Sequence, residues 1–165
     1  MSNVVCSQAI WRSTLPIATL LDHLETTFPK ESTGVFVLNG NRMAHHAGLF
    51  ETFQKELKFP DYFGHNTNAF LECITDMDWL VRDSYWVVIE HPENLLKDLP
   101  EDLGWFLDIC QKVSNEWSQP IALGESWDRP AKPFVFIFLF SEEKKAPEGP
   151  FASLPVLDEK LLTQK

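Results

Sequence analysis

The chain reads as an α/β protein built on a small three-stranded parallel sheet flanked by helices. Three observations carry that reading. Runs rich in β-branched and aromatic residues, VFVLNG at 35–40, YWVVIEH at 85–91 and PFVFIFLF at 133–140, are apolar at consecutive rather than alternate positions, the pattern of strands buried on both faces. The stretches between them carry helical periodicity, and helical crossovers join parallel strands with a right-handed connection. At 165 residues, with 44% hydrophobic and 13% aromatic side chains, the chain is about one domain's worth and has material for a substantial core.

The elements follow in order. Thr14 to Phe28 places Leu15, Thr19, Leu20, Leu24 and Phe28 at helical spacing and stops at Pro29, which predicts a peripheral helix. Gly34 opens the first strand, and Asn39 and Gly40 close it. From Ala47 a second helix carries Phe50, Phe53 and Leu57 on one stripe until Pro60 breaks it. A loop, DYFGH at 61–65, leads to Asn66, a good N-cap. In the helix that follows, Ala69, Phe70, Cys73, Ile74 and Met77 recur on the inward face, so Asn68, Glu72 and Thr75 look outward. Tyr85 to His91 is the second strand. Pro100 stands near the start of a helix whose buried stripe is Leu103, Phe106, Cys110, Val113 and Trp117, ending about Gln119. Pro133 to Phe140 is the central strand, far too short at eight residues for the ~20 that cross a bilayer. Residues 141–165 mix charges and prolines without periodicity and read as a loosely packed or disordered tail.

Charge narrows the function classes. Fourteen Lys and Arg against 24 Asp and Glu leave a net charge of −10, which repels nucleic acid phosphates and favours a basic partner. Between Asp61 and Asp108 eleven acids face only Arg82 and Lys97, so the negative field is concentrated in the middle of the chain. Cys6, Cys73 and Cys110 are odd in number and free of CxxC spacing, which with the absence of a secretory pattern at the amino terminus points to reduced thiols and a cytoplasmic protein. His45, His46 and His65 have no third ligand at metal spacing, and Cys73 falls on the apolar helix face, where a thiol is core filling rather than a nucleophile. Trp79, Trp105 and Trp117 sit in apolar stripes. Gly64 is expected to turn the loop with positive φ.

The segment from Leu57 to Asp76, LKFPDYFGHNTNAFLECITD, resembles the signature segment of the barstar family, intracellular inhibitors of microbial ribonucleases. The resemblance rests on Tyr62 and Phe63, Gly64, Asn66, Ala69, Glu72 and Cys73, and it extends over about Gly34 to Phe140. It implies a barstar-like domain at 34–140, preceded by an extension at 1–33 with one extra helix and followed by the tail at 141–165. It also implies a partner: a basic ribonuclease or nuclease-type toxin, occluded by the loop and helix, with an acidic side chain standing in the place of a substrate phosphate. Glu72 holds that position. The resemblance implies no catalysis and no cofactor, and an inhibitor or immunity protein that is a monomer when free.

The expected contact residues are Tyr62, Asn66, Asn68, Leu71, Glu72, Thr75 and Asp76. An outward carboxylate on a rigid helix suits a cationic nuclease site, and an aromatic with a polar tip suits a buried contact. The sequence departs from the family at three positions. Asn68 stands where a second carboxylate is common, Leu71 where the founding member has an aromatic, and Glu72 is one methylene longer than an Asp. Charge matching then falls to Glu72 with Asp76, Asp78 or Asp61. Two other classes compete: an interaction or scaffold module that keeps the fold without inhibiting, and a hydrolase using Cys73 with a histidine.

Overall fold

The computed structural model describes residues 5–6, 8–142 and 147–164; residues 1–4 and 7 of the extension and 143–146 and 165 of the tail lie outside the described residues. The order is β1 (Ile10–Ser13), α1 (Ile17–Thr27), β2 (Thr33–Asn39), α2 (His46–Leu57), α3 (Thr67–Asp76), β3 (Ser84–Glu90), α4 (Leu103–Trp117), β4 (Phe134–Leu139) and α5 (Glu159–Thr163), with short 3-10 turns between. The strands form one sheet in the order β1-β4-β3-β2, every pairing parallel.

The sheet therefore has four strands, not three. The missed strand, IWRS, has four residues with Arg12 in the middle, too short for any apolar period to register. What makes it a strand is the free edge of β4: Ile10 lies opposite Phe136 and Ser13 opposite Leu139. The outer edge of β1 is covered in turn by the carboxy-terminal segment, where the Arg12 amide donates to the Pro155 carbonyl at 3.0 Å, the Leu157 amide donates to the Arg12 carbonyl at 2.8 Å, and Arg12 Nε donates to the Leu154 carbonyl at 3.1 Å. From Phe151 onward this segment is not loose, for Phe151, Leu157 and Leu162 are all buried.

Strands apolar at consecutive positions need cover on both faces, and two cores supply it. Tyr85, Val87, Ile89, Phe134, Phe136 and Phe138 face α2, α3 and α4, where they meet Phe53, Phe70, Phe106 and Val113. Trp86, Val88, Val135 and Ile137 face the other way and are covered by Leu20 and Leu24 of α1 with Leu157 and Leu162. At Gly40 the turn after β2 passes so close to the backbone of His91 that a Cβ would come within 2.1 Å of its carbonyl oxygen, which is why a glycine follows the strand.

The α2–α3 corner is held by aromatic contact. Phe63 meets Phe59 at 5.2 Å between ring centroids and Phe50 at 6.0 Å, and Phe70 meets Phe53 at 5.0 Å. Trp79 Nε1 donates to the Leu57 carbonyl at 3.1 Å and Trp117 Nε1 to the Ile74 carbonyl at 3.0 Å, fixing α3 against α2 and α4. No helix among the described residues is long and apolar enough to cross a membrane.

Candidate functional site

The loop from Asp61 to His65 and the outward face of α3 form the surface of interest. Asn66 caps α3: its Oδ1 accepts from the Ala69 amide at 3.0 Å while its Nδ2 donates to the Gly64 carbonyl at 3.2 Å. Both ends of that amide are engaged in shaping the loop. The left-handed residue is His65, at φ 50, rather than Gly64. His65 Nε2 hydrogen-bonds Gln54 Oε1 at 2.8 Å and its ring lies 4.7 Å from that of Phe63, contacts that offset the cost of a non-glycine residue there. At Gly64 a Cβ would approach Asn66 Nδ2 to 3.1 Å, tight against the amide that caps α3.

Along α3, Asn68, Leu71, Glu72 and Thr75 recur at spacings of three and four and so share one face. Asn68, Glu72 and Asp76 are exposed, whereas Leu71 and Thr75 are half-buried. Leu71 packs partly against the core, and the Thr75 hydroxyl donates back to the Leu71 carbonyl at 2.6 Å. Tyr62, 75% exposed, projects beside this face. Its phenol is pushed up by desolvation first, and then by the neighbouring Cys73, Asp76, Asp78 and Glu72. The Asp76 carboxyl is likewise raised, by burial first and by Asp78 second. Among the described residues Glu72, Asp76 and Asp78 form no ion pair.

The alternative chemistries find little footing in the same geometry. Cys73 is buried under α3, and burial first, then Asp76 and Glu72, push its thiol up, away from the thiolate a nucleophile needs. Cys6 and Cys110 are also free thiols. The three histidines diverge: His45 caps α2 by accepting from the Gly48 amide at 3.1 Å, His46 pairs with Asp102 at 2.7 Å, and His65 holds Gln54. No group of three potential metal ligands exists among the described residues.

The helix turns Cys73 into the core and presents Asn68 and Glu72 outward beside the exposed Tyr62 of the loop, an acidic patch on one corner of a parallel α/β fold. The family described as Barstar (barnase inhibitor) matches residues 33–137, and the chain belongs to that family. The match runs from the start of β2 into β4 and includes the whole α2–loop–α3 corner. It stops short of β1, α1 and the carboxy-terminal segment, which nonetheless share the sheet and its second core.

The sequence pattern assigned no role to residues 120–132, which the fold places beside the C-terminal end of α3, where Trp127, Arg129 and Lys132 share a cleft with Thr75 and Asp76. The only signal was an exposed type of tryptophan in a stretch of Gly, Pro and charged residues.

Proposed function

We propose that this chain binds a basic ribonuclease or nuclease-type toxin in the cytoplasm and inhibits it by covering the active site with the 61–65 loop and the outer face of α3. Glu72 acts as the anionic plug, flanked by Tyr62, Asn68 and Asp76, while Asn66 sets the loop and Leu71 and Thr75 line the edge of the contact. The observation that carries this reading is Glu72 itself, an exposed carboxylate with no ion pair among the described residues, on a helix braced by its cap and by Trp79 and Trp117. A nuclease site must be cationic to hold phosphate, so a preorganised carboxylate meets Arg and Lys donors already in place. Membership of a family of nuclease inhibitors supports the same reading, and the buried Cys73 argues against a hydrolase.

Titration of barnase with the purified chain tests it. The expected result is loss of ribonuclease activity at near-stoichiometric inhibitor, abolished in Glu72→Lys with an unchanged melting midpoint and weakened less in Glu72→Gln. Breaking a desolvated charge pair costs about 2 to 5 kcal/mol, a range to which the family's founding pair contributes, and reversing the sign adds repulsion. Asn68→Asp is expected to tighten binding by restoring a second carboxylate. A Glu72→Lys protein that inhibits as well as wild type overturns the proposed face. If neither wild type nor Asn68→Asp inhibits, the reading of α3 as an inhibitory face fails for barnase and the alternative of an interaction module gains.

A further inference from the structure

Two of the exposed large apolar side chains, Val81 and Trp127, lie beside the last turn of α3. Tyr62, Val81, Leu123 and Trp127 are 61 to 75% exposed, and apart from Val156 they are the exposed large hydrophobics of the described residues. Val81 and Trp127 line one cleft with Thr75, Asp76, Met77 and Asp78, a cavity of about 450 Å³ whose inner wall is Tyr85 and Trp117. Leu123 belongs to the same turn as Trp127. Val81 and Trp127 thus expose apolar surface within one cleft, and exposed apolar surface of this kind marks an interaction site.

The turn that carries Trp127 is pinned. Ile121 and Arg129 exchange backbone hydrogen bonds of 2.9 and 3.0 Å, and the Asp128 carboxylate accepts from the Leu123 and Gly124 amides at 3.0 and 2.8 Å. The cations of the cleft are occupied internally: the Arg129 guanidinium lies 3.8 Å from the Trp117 ring centroid, and Lys132 Nζ donates to the Arg82 carbonyl at 2.6 Å. Asp76 and Asp78, by contrast, have no ion-pair partner among the described residues.

We propose that the 121–129 turn is a second arm of the partner-binding face, and that the cleft between it and the end of α3 receives an arginine side chain of the nuclease, stacked on Trp127 and paired with Asp76 and Asp78. The proposal rests on the reading of α3 as the face that meets a basic nuclease, with which the cleft is continuous through Thr75 and Asp76. Arginine fits because its stem lies on apolar walls, its planar head stacks on indole, and its fork matches carboxylates. A purely apolar side chain would desolvate Asp76 and Asp78 without pairing them, which is costly. Tryptophan and arginine are also the side chains that most often dominate protein interfaces.

The test uses the full chain, with barnase as the nuclease and acetyl-arginine amide as the side-chain probe. Trp127 is 61% exposed, so its truncation spares the core. Trp127→Ala is expected to weaken barnase inhibition about 10- to 100-fold with the melting midpoint unchanged. Acetyl-arginine amide is expected to shift the Trp127 indole N–H resonance saturably, the uncharged citrulline analogue to leave it in place, and the double change Asp76→Asn, Asp78→Asn to abolish the shift. If Trp127→Ala inhibits like wild type while Glu72→Lys does not, the second arm is overturned and the α3 face stands. If wild type leaves barnase active, the α3 reading fails for that enzyme and the arginine titration alone decides the cleft. A Trp127 resonance that arginine does not move overturns the arginine assignment whatever barnase does.

Discussion

Asp76, which the proposed binding face includes, is a side chain whose ionised form is poor for stability. Its carboxyl is held above the ordinary aspartate range by burial and then by the charge of Asp78, so the folded protein binds this proton more tightly than the unfolded chain does. The contribution of the protonated group to stability is therefore present below the unfolded value and lost as pH rises through the raised folded value; at neutral pH the ionised group is a net cost. Asp76→Asn is expected to melt higher than wild type at pH 7, with the two curves converging below about pH 4. Melting series from pH 3 to 8 check this, and an Asn variant that melts lower at pH 7 would show that Asp76 is instead stabilised by its surroundings. A guanidinium docked against the pair would reverse the local balance, so the same variant that gains stability should lose affinity. Substitutions that improve a fold while harming its site are expected where function has set the residue.

At the scale of elements, α1 carries the clearest prediction. Leu20 and Leu24 are fully buried against Trp86, Val88 and Ile137, on a face of the sheet that α2 to α4 do not reach. Leu24→Ala is expected to cost about 2 to 5 kcal/mol through lost burial and the cavity left behind. For a chain of this size each kcal/mol lowers the melting midpoint by about 2 to 4 °C. A midpoint within a degree of wild type would mean that α1 is not docked in solution. The three longer strands were legible because each is a near-continuous apolar run, and the α2, α3 and α4 stripes because the helical period repeats along each. The outward set on α3 was legible for the same reason, since Cys73 and Ile74 fix the inward face and so place Glu72. Strand β1 was not, because Arg12 and a four-residue length erase any pattern and its pairing is decided by β4. Phe151, Leu157 and Leu162 are spaced without a period, so their docking is tertiary in origin. At the loop, the composition correctly announced a tight turn but put the left-handed residue one position early, because the His65 ring finds partners in Gln54 and Phe63 that local sequence does not reveal.

For the molecule as a whole the governing quantity is the charge distribution. A net charge of −10 is carried largely by the stretch from Asp61 to Asp108, which contains the loop, α3 and the start of α4. A field of that sign around the proposed face draws a basic partner toward the surface it must meet, and it acts before any contact forms. Salt screens such attraction beyond about 8 to 10 Å at physiological strength, while contacts already desolvated are screened much less. Raising ionic strength is therefore expected to slow association with barnase markedly, on the order of tenfold or more between dilute buffer and half-molar salt, and to change dissociation far less. Stopped-flow measurements separate the two rates. The same experiment on Glu72→Gln distinguishes field from contact: the whole-molecule charge changes by one unit among ten, so its salt slope should stay near that of wild type while its dissociation quickens. Association rates flat with salt would remove steering from the account and shift the weight of recognition onto the apolar surface of Tyr62, Leu123 and Trp127.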